Sequence, residues 1–127
     1  MPIKFFTSKS ERAQQRPFQV RAWEWLIECL GEKQASDSNE RVCRFIEEAL
    51  EVAQAARISE AKVHEILRRV YEKPGDPLPR ELGDAAFTLA LLCHHHKLNM
   101  EDVMENALRV AYGKMELIRE KNKVKIR

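Results

Sequence analysis

Apolar residues recur along this chain at intervals of three and four, the spacing that lines one face of a helix, and strand-like alternation is rare. Five segments carry the pattern. In residues 18–30, Trp23, Leu26, Ile27 and Leu30 form one stripe, and Gly31 stands where a helix end favours left-handed backbone. A loop over 32–39 follows, with Ser38 or Asn39 as the cap of a second helix. Val42, Phe45, Ile46, Ala49, Leu50, Ala53 and Ala56 mark that helix, which is expected to end near Arg57. Ser59 caps a third, in which Val63, Ile66, Leu67 and Val70 hold the i, i+3, i+4, i+7 spacing up to the breaker Lys73-Pro74-Gly75-Asp76-Pro77. A fourth helix starts at Pro77 or Pro79, where a missing N–H costs nothing, and runs to His96. Asn99 and Asp102 form a loose capping box for a fifth, with Met104, Ala107, Leu108, Ala111, Met115 and Ile118 on one stripe.

This pattern predicts an all-α fold: a helical bundle of about five helices around a four-helix core, occupying residues 18–121. A polar arm, residues 1–17, precedes it and a basic tail, residues 122–127, follows. The 127 residues, 44% of them apolar, suffice for one helical core. Charged residues make up 33% of the chain, but the net charge is only +2, so no whole-protein field draws it to nucleic acid or membrane. Cys29, Cys43 and Cys93 are odd in number and widely spaced, which suggests reduced thiols rather than a disulfide framework or zinc ribbon. With no apolar leader after Met1 and no segment near the roughly 20 apolar residues of a span, a cytoplasmic protein is expected.

The candidate chemistry is acidic. Glu47, Glu48 and Glu51 cluster on the second helix, where residues three or four apart have Cβ atoms about 5–6 Å from each other. A solvated acidic face explains such a cluster by itself. The fourth helix changes the picture: its run Ala85-Ala86-Phe87-Thr88-Leu89-Ala90-Leu91-Leu92-Cys93 is apolar on nearly every side and predicts burial, and Glu81 and Asp84 enter it. Buried carboxylates need compensation, and a divalent cation supplies it for several acids at once. An i, i+3 pair on each of two helices offers four hard oxygen donors, suited to Mg²⁺, with Mn²⁺ an alternative, rather than zinc. An element so apolar, in so short a chain, also predicts at least a dimer.

These residues resemble the MazG-like all-α NTP pyrophosphohydrolases, which carry E-E-x-x-E on one helix and E-x-x-D on a later one. Here the motifs read Glu47-Glu48-Ala49-Leu50-Glu51 and Glu81-Leu82-Gly83-Asp84, and the likeness spans residues 23–121. The spacer between them, residues 52–80, is at the long end for the family because a whole helix intervenes. The resemblance implies Mg²⁺-dependent hydrolysis of ribo- or deoxynucleoside triphosphates to monophosphate and pyrophosphate by a homodimer or homotetramer, with removal of unwanted nucleotides as its purpose. It makes Glu48, Glu51, Glu81 and Asp84 the metal ligands, and leaves Glu47 as the candidate general base.

Lys114 flanks the apolar strip of the fifth helix, placed either to snorkel or, as the resemblance suggests, to bind phosphate. Asn106 and Arg109 share that helix and are candidate nucleotide contacts; Trp25 is a candidate for base stacking, and Trp23 for the core. His94, His95 and His96 are consecutive, so their side chains diverge around the helix and suit its negative pole better than a metal. Two other classes fit the sequence: a helix-turn-helix over residues 39–71 with Arg68 and Arg69 on phosphate, disfavoured by its acidic partner helix, and a catalytically inactive helical interaction module.

Overall fold

A computed structural model describes residues 16–124, which form seven helical segments and, among the described residues, no strand. Residues 1–15 of the expected arm and 125–127 of the expected tail lie outside the described residues. Helix α1, Phe18–Leu30, starts on the carbonyl of Pro17 and stops at Gly31, whose φ of 83° favours glycine and whose N–H reaches Ile27 O at 2.8 Å. The expected loop then contains one helical turn, α2, Glu32–Ala35. Helix α3, Ser38–Ala55, is capped by Asp37 rather than Ser38 or Asn39; its carboxylate accepts from Glu40 N at 3.1 Å. Helix α4, Glu60–Tyr71, has the expected Ser59 cap. Helix α5, Leu78–His95, follows the proline-glycine breaker, and its first free N–H groups bond to Pro77 O.

Two junctions share one device. Ile58 N bonds to Ala53 O and Arg57 N to Gln54 O after α3, and Leu98 N bonds to Cys93 O and Lys97 N to His94 O after α5. This is the Schellman closure, with Arg57 (φ 63°) and Lys97 (φ 60°) in the left-handed position that glycine more often fills. Asn99 caps α6, Met100–Gly113, accepting from Asp102 N at 3.0 Å. The expected fifth helix is interrupted: α6 ends at Gly113, and α7, Met115–Val124, starts one residue later. Glycine is a weak helix former, and the break at Lys114 lets Met115 turn into the core.

The chain divides into two units. One comprises, among the described residues, 16–35 and 87–124, and every described residue that is buried (Leu26, Cys29, Ala35, Cys93 and Met115) belongs to it. Here α1 packs on α2, α6 and α7, and α6 packs on α7. Three polar ties reinforce the apolar contacts. Arg21 on α1 and Glu105 on α6 form a two-pronged ion pair with side chains only 16% and 13% exposed. Arg119 on α7 donates to the carbonyls of Glu28 (2.7 Å) and Cys29 (3.2 Å), satisfying acceptors that the end of α1 leaves open. Gln34 and Asn122 exchange amide hydrogen bonds at 2.6 and 2.9 Å.

The other unit, residues 36–86, holds α3, α4 and the start of α5, and none of its residues is buried. Phe45 is 54% exposed, Leu67 50% and Val70 62%, so the stripes predicted to form a core exist as stripes but have nothing covering them. The burial expected for α5 is likewise corrected: of its apolar run only Cys93 is buried, and Phe87 is 64% exposed. Trp23, expected in the core, is also exposed. Periodicity defines which face is apolar, while a neighbour must exist to bury it.

Candidate functional site

All five acids singled out in the sequence belong to residues 36–86 and lie on the surface. Glu47, Glu48 and Glu51 follow from the uninterrupted turns of α3; Glu81 and Asp84 sit in the opening turns of α5, just after the prolines that start it. Glu47 is held by Arg44 one turn earlier, at 2.9 Å, and Asp84 pairs with Arg80 at 3.5 Å across an exposed i, i+4 turn. Glu81 reaches back over the breaker towards Gly75: a Cβ added at that glycine would lie 3.5 Å from Glu81 Oε2. The side chains of Glu48, Glu51 and Glu81 make no hydrogen bond or ion pair among the described residues.

Each helix thus presents its two carboxylates one turn apart, but the pairs of α3 and α5 are not drawn together. Among the described residues no group of three or more His, Cys, Asp or Glu side chains is arranged to hold a metal ion. The donor set itself fits a hard divalent cation, being all carboxylate and mostly without competing cationic partners. His94 and His95, by contrast, occupy the last turn of α5, where imidazoles complement the dipole.

The candidate nucleotide contacts lie in the first unit. Lys114 is the exposed residue at the break between α6 and α7, with its backbone N–H bonded to Val110 O and Ala111 O. Asn106 is half-buried, and so is Trp25, whose indole N–H is shielded from water and meets no acceptor among the described residues. Arg109 lines an open cleft of about 290 Å³ with Arg16, Arg21, Glu24, Glu105, Leu108 and Tyr112. This cleft is built around the Arg21–Glu105 pair, and the hydrogen bonds that Arg21 donates to Glu105 raise the pKa of its guanidinium. Arg16 closes one side through Glu24 at 2.6 Å. The sequence carries no sign of this cluster, because Arg21 and Glu105 are ordinary surface-type residues on helices far apart in the chain.

Comparison with protein-family models, with curated proteins and with solved structures found no match. Among the described residues, no helix is long and apolar enough to cross a membrane.

Proposed function

We propose that this protein is a Mg²⁺-dependent nucleoside triphosphate pyrophosphohydrolase that acts as a homodimer or homotetramer. The observation that carries the reading is the pairing of Glu48 with Glu51 on α3 and of Glu81 with Asp84 on α5: four accessible hard oxygen donors, one turn apart within each pair. A cation held by those four residues would neutralise and orient the triphosphate. Water adds to the α-phosphorus, the bridge to the β-phosphorus breaks, and pyrophosphate leaves with the electron pair. Glu47, held by Arg44 at 2.9 Å, is the residue assigned to accept the proton of the attacking water.

The test is pyrophosphate release from a panel of ribo- and deoxynucleoside triphosphates, with and without Mg²⁺, for the wild type and for Asp84→Asn. Wild type should release pyrophosphate only with the metal. The variant should lose at least a hundredfold in kcat and gain less in melting temperature than the wild type when Mg²⁺ is added. Orthophosphate as the only product, or no turnover of any nucleotide, overturns the assignment.

A further inference from the structure

Helix α3 carries two cations, Arg41 and Arg44, and they differ in what surrounds them. Residues three and four apart share a helix face, and around Arg41 those positions hold Asp37, Ser38, Arg44 and Phe45. Asp37 is the one acid among them, and its carboxylate is engaged as the helix cap, accepting from Glu40 N at 3.1 Å. Arg44 instead pairs with Glu47 at 2.9 Å and lies 3.4 Å from Glu40. The guanidinium of Arg41 is left with no hydrogen bond or ion pair among the described residues, although the residue is half-buried and its Nε is shielded from water. A shielded cationic donor without an acceptor is rare in folded proteins and costs stability, and an anion would satisfy it. Arg44, one turn on, adds like charge that the same anion would offset.

The place of Arg41 on α3 identifies the anion. Seven residues make almost two full turns, so Glu48 stands in line with Arg41 and Glu51 with Arg44, each about 10 Å further along the axis. One stripe of α3 therefore runs from two guanidiniums to two carboxylates. We propose that Arg41, flanked by Arg44, anchors the β- and γ-phosphates of the substrate, and that the α-phosphate lies toward Glu48 and Glu51. This rests on the pyrophosphohydrolase reading for the identity of the substrate. A guanidinium grips phosphate oxygens with two parallel N–H groups and stays charged at any working pH. At this end of the chain of phosphates it also faces the charge that grows on pyrophosphate as it leaves. The stripe gives the substrate a direction and favours a triphosphate over a diphosphate, whose shorter chain leaves Arg41 unengaged.

The test takes the whole chain and titrates it calorimetrically with inorganic tripolyphosphate in the presence of EDTA, so that neither a metal nor turnover is needed to read it. Wild type should bind the probe, Arg41→Met should bind it about tenfold or more weakly, and Arg41→Lys should fall between them. Arg68→Met, which removes a cation of α4 instead, should change the affinity by less than about twofold. Because Arg41→Met discards an unsatisfied donor, its melting temperature should equal or exceed that of wild type. With Mg²⁺ and the best nucleotide, Arg41→Met should raise KM about tenfold or more and narrow the preference for triphosphate over diphosphate. An active Arg41→Met enzyme with unchanged KM and unchanged tripolyphosphate binding overturns the anchor and leaves the hydrolase reading intact. Equal losses of binding in Arg41→Met and Arg68→Met reduce it to general charge attraction and overturn the anchor as well. So does a melting temperature several degrees lower in both Arg41→Met and Arg41→Lys, which makes Arg41 a packing residue. A wild type that turns over no nucleotide, but whose tripolyphosphate binding is lost with Arg41, overturns the hydrolase reading and leaves the anion site standing.

Discussion

At the scale of single residues, position along a helix and position in the packing give similar side chains different behaviour. Glu48 and Glu51 stay exposed with no side-chain partner among the described residues, while Glu105, also helical, is held by Arg21 and mostly shielded. Cys29 shows the effect of packing on a titratable group. It is buried between α1 and α7, with its Sγ directed at Met115 O, and burial pushes its thiol pKa above the ordinary 9.0. The folded state therefore keeps its proton where the unfolded chain has lost it. The stability linked to Cys29 is complete below pH 9 and is lost as pH rises through the folded-state value. Urea unfolding from pH 8 to 10.5 should show a decline at the alkaline end that Cys29→Ala lacks; equal slopes in the two proteins would refute this linkage.

At the scale of elements, the helices were legible because their signals are local. The bounds of α1 agree with the sequence reading, as do the Ser59 and Asn99 caps and the break at residues 73–77, since each depends on residues within one or two turns. The differences are local too. Asp37 competes successfully with Ser38 for the α3 cap, and Gly113 divides what reads as one helix. How α1 is fastened to α6 was not legible, because it depends on Arg21 finding Glu105. That pair is mostly shielded, so removing one partner takes from the other its bidentate opposite charge in a site largely cut off from water. Arg21→Met should destabilise the protein by about 2–4 kcal/mol, and Glu105→Leu similarly, while the double variant should recover much of the loss. A denaturant-based double-mutant cycle with no coupling energy would mean that the pair is only a surface contact.

At the scale of the whole molecule, the contrast between the units governs what can be expected. Residues 16–35 and 87–124 contain the buried apolar residues, whereas residues 36–86 display apolar stripes without a core. A helix pair in that condition gains little from its own periodicity, since most helical stability comes from packing of the apolar face. Leu67→Glu removes an apolar side chain from the exposed stripe of α4 but costs one chain little, as Leu67 is half exposed already. Sedimentation velocity should show the variant as a monomer where the wild type is a dimer or tetramer, with its helical content retained. An unchanged oligomer would exclude the apolar stripe of α4 as the subunit contact.

The sequence by itself determined that the chain is helical, where most helices begin and end, and which acids fall one turn apart, because each of these follows from rules acting over a few residues. Only the tertiary structure decided that Arg119 satisfies the end of α1, that Gln34 meets Asn122, that Met115 is buried and Phe45 is not, and that the acids of α3 and α5 stay apart within one chain. These outcomes depend on which distant segments become neighbours. An apolar stripe or a pair of carboxylates reads the same along the chain whether it is covered by its own chain, by another copy, or by water.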